Sequence, residues 1–221
     1  MKTFVMIPTY NESENIRNLI NEILKLKIKN LNIVVADDSS PDGTWKIVQD
    51  ISKKNKNVHL LLRKKDKGRG SAGKDGFIYC LMHGADVVVE MDADMSHDPK
   101  YIPLMLKELK NADLVLGSRR VKGAKEIGRS LIRRLVTVGA NLYIRLMLGI
   151  KVKDCNSGFR CFRREVLEKI AQNLESRGPS IVQEVLFKAH LKGFRIKEIP
   201  ITFINRVKGN SKLGIPQLAA G

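Results

Sequence analysis

The sequence predicts an α/β fold, a mostly parallel sheet with helices on both faces, within one domain of 221 residues. Two observations predict it. Short apolar runs alternate with segments whose apolar residues recur at helical spacing, from Phe4 to Leu116, as βαβ units require. The runs are also continuous, with Val87-Val88-Val89 the plainest case, which is the pattern of strands covered on both faces.

Phe4 to Ile7 is the first run, stopped by Pro8. Ile16, Leu19, Ile20, Ile23 and Leu24 mark a helix over Asn15 to Leu26. Ile33 to Ala36 is the second strand, closed by Asp37-Asp38-Ser39-Ser40-Pro41-Asp42-Gly43. A helix from Thr44, a strand over Val58 to Leu62, a Gly-rich turn and a helix over Ala72 to His83 lead to the apolar run Asp86 to Met91. Pro99 opens the next helix, and Leu114 to Leu116 is a further strand. From Arg119 onward the pattern is less regular and basic helices dominate. No linker or repeat divides the chain, so residues 1–118 and 119–221 read as two functional halves of one domain.

A chain of this length can bury a substantial core. Lys plus Arg outnumber Asp plus Glu by 40 to 23, for a net charge of +17 and a pI near 9.9. Such an excess suits a polyanionic partner, the plain alternative being a solvated Lys-rich surface. Aromatic residues make up 5% of the chain, which leaves few stacking platforms and argues against a nucleic-acid partner. Cys80, Cys155 and Cys161 lack zinc-type spacing, and an odd set of this kind reads as reduced thiols in a cytosolic setting. Lys2 leads into only Phe4 to Pro8, too short for a secretory signal. No segment approaches the roughly 18 to 20 apolar residues of a spanning helix.

Asp92-Ala93-Asp94 closes the Val87 strand. Carboxylates at that end of a parallel strand face the crevice where open α/β sheets bind ligands. Hard cations such as Mg²⁺ take one or two carboxylates plus substrate phosphates. The competing reading has Asp94 capping the next helix and Asp92 solvated. The Gly-rich turn fits two phosphate motifs incompletely. Gly68, Gly70 and Gly73 give G-x-G-x-x-G, but Arg63 to Lys67 separate it from the strand. Gly68 to Lys74 give G-x-x-x-x-G-K, but Asp75 stands where Ser or Thr would ligate Mg²⁺. Without either name, its amides remain candidates to approach a phosphate-bearing ligand.

The ordered set Pro8-Thr9-Tyr10-Asn11-Glu12, Asp37 to Thr44, Asp92 to Pro99, Gly117-Ser118-Arg119, Ser157-Gly158-Phe159, Gln183-Glu184 and Gly209 to Gly214 resembles inverting glycosyltransferase family 2. Within it the chain is most similar to the polyprenol-phosphate (dolichyl-phosphate) mannosyltransferases. The resemblance implies the GT-A fold, with a nucleotide-sugar and metal half followed by an acceptor half. It implies transfer of mannose from GDP-mannose to a polyprenyl or dolichyl phosphate, with a UDP-glucose-dependent polyprenyl-phosphate glucosyltransferase as the near alternative. An NAD-dependent Rossmann enzyme and a basic nucleic-acid-binding protein are the alternatives from other classes.

The same resemblance assigns roles. Pro8, Tyr10, Glu12, Ala36 and Asp38 would hold base and ribose, with Ala93 beside the ribose. Asp92 and Asp94, with Ser96 a weaker third ligand, would hold Mg²⁺ or Mn²⁺ on the donor diphosphate. Arg119, Arg133, Arg206 and Lys212 would grip phosphates, Arg119 and Arg133 including that of the acceptor. Asp154 would order the Ser-Gly-Phe turn, His97 would orient a carboxylate or pack, and Gln183-Glu184 would face acceptor or sugar. A phosphate nucleophile arrives as an anion, so no general base is nominated.

Arg129 to Leu148 carries a further signal. At 100° per residue, Leu131, Leu135, Val138, Leu142 and Leu146 share one narrow arc, with Arg133, Thr137 and Asn141 opposite. Only Leu135 to Ile144 is free of charge. The apolar face either lies on an anionic membrane surface or packs on the protein's own core. A peripheral enzyme on the cytoplasmic face of a membrane is therefore expected. A membrane-anchoring subunit or a truncated chain would account for the missing membrane segments of some relatives.

Overall fold

The computed structural model describes residues 1–128 and 131–205, without the side chains of residues 131–134. The strands are β1 (Thr3–Thr9), β2 (Leu31–Asp37), β3 (Val58–Leu62), β4 (Val87–Glu90), β5 (Leu114–Ser118), β6 (Lys125–Ile127), β7 (Arg160–Arg163), β8 (Ile196–Pro200) and β9 (Thr202–Ile204). The α-helices are α1 (Ile16–Lys25), α2 (Thr44–Lys54), α3 (Arg69–Met82), α4 (Ile102–Glu108), α5 (Leu131–Leu148), α6 (Arg164–Ile170) and α7 (Ile181–Leu191).

A seven-stranded sheet runs β3-β2-β1-β4-β7-β5-β8, and β6 pairs with β9 in a small separate ribbon. All pairings in the large sheet are parallel except those of β7, which is antiparallel to both β4 and β5. Successive residues of the central strands explain the continuous apolar runs. Val5, Ile7, Ile33, Val35 and Val89 pack with Ile16, Leu19, Ile20 and Ile23 of α1 on one face. Phe4, Met6, Val34 and Val88 pack with Phe77 of α3, Leu167 of α6 and Val185 of α7 on the other. Both sides of each strand are therefore apolar, as a sheet sandwiched between helices demands.

β1 lies between β2 and β4, so the chain winds outward from it in both directions. That is a topological switch point, and the loops at the carboxyl ends of β1, β2 and β4 border one crevice. β7 and the β6–β9 ribbon were not expected from the sequence. The segment after Pro99 also differs from the expected helix: Pro99–Tyr101 is a 3₁₀ turn, and α4 starts at Ile102.

Candidate active site

The turn after β1 is tied to the turn after β2. Pro8 and Ala36 are register partners, as are Thr9 and Asp37. Fully buried Asp37 accepts from Thr9 Oγ1 at 2.7 Å, Ser40 N at 2.8 Å and Ser40 Oγ at 2.7 Å. Asp42 accepts from Ser13 N and from both the amide and hydroxyl of Thr44. Burial opposes its charge, but those hydrogen bonds outweigh burial and hold its carboxyl below the ordinary range. Asp38 accepts from the buried Arg63 guanidinium and from Gly68 N at 2.7 Å. Glu12 accepts from Asn15 Nδ2 at 2.9 Å, and its own amide donates to Thr44 Oγ1 at 2.8 Å. Tyr10 is half exposed beside them.

The carboxylates after β4 have a different environment. Asp92 and Asp94 are both partly exposed, around buried Ala93. Asp94 Oδ1 accepts from Ser96 N at 3.1 Å, across a Met95 held at φ 63°. The 3₁₀ turn is capped by Asp98, which accepts from Lys100 N at 3.0 Å. Capping therefore does not explain Asp94. Ser96 and His97 are buried. His97 Nδ1 lies 3.2 Å from Asp92 N, and its ring stacks on Phe159 with centroids 5.1 Å apart. Burial lowers the His97 pKa, and Nδ1 is placed to accept the Asp92 amide proton.

Behind the pair lies a buried ionic network that sequence reading missed. Glu90, fully buried at the end of β4, accepts from Arg160 Nε at 2.9 Å and Nη2 at 2.5 Å. Arg69 Nη2 sits 2.9 Å from Glu90 Oε1 and 3.3 Å from Asp92 Oδ1. Burial alone would push the Asp92 carboxyl up, but the Arg69 guanidinium outweighs it and keeps the carboxyl below the ordinary range. The available signal was Glu90 itself, an ionisable residue closing a Val-Val-Val strand, because a buried charge requires a partner.

Arg119 leaves β5 into the same region. Its amide, Nε and Nη2 donate to buried Asp154 at 2.9, 2.8 and 2.7 Å. Its guanidinium lies 5.1 Å over Phe203. Burial opposes the charge of both partners, but Arg119 holds the Asp154 carboxyl below its usual range and Asp154 holds the Arg119 pKa up. Asp154 thus anchors Arg119 directly, beyond ordering the turn that follows it.

Two expectations are corrected. The Gly-rich turn does not offer its amides to a ligand: Gly68 N donates to Asp38, and Gly70 N donates to Arg177 O at 2.8 Å. A Cβ on Gly70 would sit 2.0 Å from Ser176 O, so close backbone packing is the reason for glycine there. Glu184 has its carboxylate engaged within the fold. It accepts from Glu175 N and Ser176 N and pairs with Lys188 at 2.8 Å. Gln183 donates instead to Asn156 Oδ1. Arg206, Lys212 and the Gly209 to Gly214 motif lie outside the described residues, as does the side chain of Arg133 in the first turn of α5.

Helix α5 resolves the direction of its apolar arc. Leu135 (71% exposed), Val138, Leu142 and Leu146 (75%) face outward, joined by Val136, Tyr143 and Met147. Thr137, Asn141, Ile144, Arg145 and Leu148 face inward, and among the described side chains of this helix only Asn141 is buried. The helix packs a mixed stripe on the protein, with Ile144 and Leu148 against the core and Asn141 buried, and leaves the Leu135, Val138, Leu142 and Leu146 stripe uncovered.

Comparison with known proteins places this arrangement. The family Glycosyl transferase family 2 matches residues 4–171. The chain belongs to that family. Undecaprenyl-phosphate mannosyltransferase of Micrococcus luteus is 38% identical over 214 residues, covering 96% of this chain and 88% of that protein. Polyprenol monophosphomannose synthase of Mycolicibacterium smegmatis is 37% identical over 215 residues, covering 96% and 81%. Dolichol-phosphate mannosyltransferase of Pyrococcus furiosus is 41% identical over 217 residues, covering 96% of this chain and 59% of that longer protein. Among solved structures, glucosyl-3-phosphoglycerate synthase from Mycobacterium tuberculosis, crystallised with Mn²⁺ and UDP-glucose, aligns with a TM-score of 0.69. It covers 99% of this chain and 74% of its own at 20% identity. That likeness establishes the shared GT-A-like α/β fold of this family 2 chain.

Proposed function

We propose that this family 2 glycosyltransferase transfers mannose from GDP-mannose to a polyprenyl phosphate at an anionic membrane surface, with inversion at the anomeric carbon. The observation that carries the reading is the partly exposed Asp92 and Asp94 pair at the carboxyl end of β4, beside the switch point. The names of the relatives supply the sugar and the acceptor class.

The donor set fits a hard divalent cation. Two carboxylates stand one residue apart, and no cluster of three His, Cys, Asp or Glu exists among the described residues to enclose a metal by protein alone. Mg²⁺ and Mn²⁺ sites of this kind are completed by substrate phosphates and water. Asp92 and Asp94 would hold the ion, which supplies charge stabilisation to the departing nucleoside diphosphate. Pro8, Tyr10, Glu12, Ala36 and Asp38, gathered at the ends of β1 and β2, would hold base and ribose. Arg119, presented by Asp154, would meet phosphate with the donors Asp154 leaves free, and Arg133, Arg206 and Lys212 would join it. The acceptor phosphate is already a nucleophile, so catalysis rests on positioning and charge neutralisation.

The outward face of α5 supports the membrane part of the reading. No helix among the described residues is long and apolar enough to cross a bilayer. A basic helix with an uncovered Leu, Val and Met stripe suits the interface of an anionic leaflet instead. The chain-wide charge of +17 adds attraction.

The test is product analysis with a short polyprenyl phosphate and either GDP-mannose or UDP-glucose, with Mg²⁺, Mn²⁺ or a chelator. Mannosyl lipid formed only with metal is the expected result. Glucosyl lipid from UDP-glucose alone would replace the donor assignment, and undiminished transfer in chelator would remove the metal from Asp92 and Asp94.

A further inference from the structure

The segment from Asp154 to Gly158 links Arg119 to the neighbourhood of Asp92. Asp154 makes three hydrogen bonds to Arg119. Its own amide and that of Lys153 donate to Glu198 of β8. Ser157 Oγ donates to Gly117 O of β5 at 2.6 Å. A Cβ on Gly158 would stand 3.2 Å from Asp92 Oδ2. Between these contacts, Cys155 N and Asn156 Nδ2 both donate to one acceptor, Asn141 Oδ1 of α5, each at 2.9 Å. Gln183 Nε2 of α7 then closes the chain of amides on Asn156 Oδ1 at 2.5 Å.

Asn141 is a poor residue for packing alone. It is 3% exposed, and its Nδ2 has no hydrogen-bond partner among the described residues. A buried donor left unpaired destabilises the fold, so an amide kept at this place has a use in its acceptor oxygen. That oxygen ties the helix with the uncovered apolar face to the segment that anchors Arg119 and borders Asp92.

We infer that Asn141 is a positioning residue for the transfer: through its Oδ1 it fixes the 154–158 segment, and so the placement of Arg119 relative to Asp92. The inference rests on the reading that Arg119 and Asp92 serve glycosyl transfer. It concerns placement, so its signature is a loss in kcat at preserved donor affinity.

The experiment compares Asn141→Ala, Asn141→Asp and Asn156→Ala in steady-state transfer to a short polyprenyl phosphate, with GDP affinity and thermal melts measured in parallel. Asn141→Ala should lower kcat on the order of tenfold or more, because small misplacements of reacting groups carry large rate penalties. GDP affinity should stay within about twofold, since the nucleotide-facing turns of β1 and β2 are untouched. Asn141→Asp keeps an acceptor oxygen at the cost of a buried carboxyl, so in the folded variant it should recover part of the kcat that Asn141→Ala loses. Asn156→Ala, which removes one of the two bonds from the other side, should fall between. Cys155 should react faster with a thiol reagent in Asn141→Ala than in the unaltered protein, with Cys80 unchanged. Unaltered kcat in both Ala variants, or no recovery in a folded Asn141→Asp, overturns the inference. If Asn141→Ala does not fold, Asn156→Ala decides by the same criterion. Absence of transfer by the unaltered chain overturns the mannosyl reading and this inference with it, whereas normal transfer with indifferent variants overturns the inference alone.

Discussion

Two acidic turns border the same crevice, and they use their carboxylates in opposite ways. After β2, Asp37, Asp38 and Asp42 are held by Thr9, Ser13, Ser40, Thr44, Arg63 and Gly68. After β4, Asp92 and Asp94 are partly exposed, the first beside Arg69 and the second bonded to Ser96 N. Residue type and place in the fold are alike, so neither distinguishes fold-holding acids from ligand-holding ones. Exposure does, since Asp37 and Asp38 are buried and Asp92 and Asp94 are not. On the proposed reading the turn after β2 would shape a surface for a nucleotide, and the turn after β4 would present carboxylate oxygen to a cation.

The largest effect that would sharpen the contrast is expected behind the second turn. Replacing Arg160 with Met leaves Glu90 fully buried without its main partner, and breaking such a pair costs about 3–5 kcal/mol. Denaturant unfolding of Arg160→Met checks this, and a loss under about 1 kcal/mol would deny the network its structural weight. Next comes Asp94→Ala. It should weaken metal-dependent GDP binding about a hundredfold, roughly 2.7 kcal/mol, with a melt close to that of the unaltered protein. Calorimetry with and without Mn²⁺ reads both, and an equal loss in chelator would erase the difference between the turns. Asp37→Ala should do the reverse. Orphaning the Ser40 and Thr9 donors should lower stability by about 1–3 kcal/mol, seen as a lower melting temperature before any change in metal dependence.

Smaller effects follow. Leu135→Ser with Leu142→Ser should reduce co-sedimentation with anionic vesicles while leaving the melt nearly unchanged, because both side chains are exposed. Added salt should weaken the vesicle binding of the unaltered protein. A collapse of the fold would instead place those leucines in a core. The last effect depends on pH. Burial would raise the Glu184 carboxyl, but Lys188 and the Ser176 and Glu175 amides outweigh it and bring it from the ordinary 4.5 down to about 2. A lowered carboxylate stabilises the folded state above its unfolded pKa and loses that contribution as pH falls through its folded pKa. The stability gap between the unaltered protein and Glu184→Gln should therefore be full near neutrality and fade between about pH 4.5 and about pH 2.

The sequence was most readable where burial on both faces left an unbroken apolar run. β1, β2 and β4 were placed within a residue or two for that reason. β7 was hidden because its four residues include Arg160 and Arg163, whose charges mask a strand lying wholly within the sheet. The β6–β9 ribbon is too short for any period to register. In the site, motif order located Asp92 and Asp94, while the pairing of Arg119 with Asp154 spans 35 residues and leaves no local trace. Periodicity defined the apolar arc of α5 but carried no information on its direction, which depends on what Asn141 and Thr137 meet in space. The Gly-rich turn misled for a physical reason. Glycine permits close approach of any backbone, and here the approaching group is the Ser176 carbonyl rather than a phosphate.

The three buried thiols give the molecule its own set of clocks. Cys80 and Cys161 sit in the core with their pKa values pushed far up by burial, and Cys155, pushed up to about 11, lies beneath α5. A thiol has to reach solvent and ionise before it can be alkylated, so each labelling rate measures how often its own neighbourhood opens. Followed separately by mass spectrometry, Cys80 would time the breathing of the α3 side of the sheet and Cys155 that of the loop behind Arg119. No engineered probe is needed to learn which part of this enzyme loosens first.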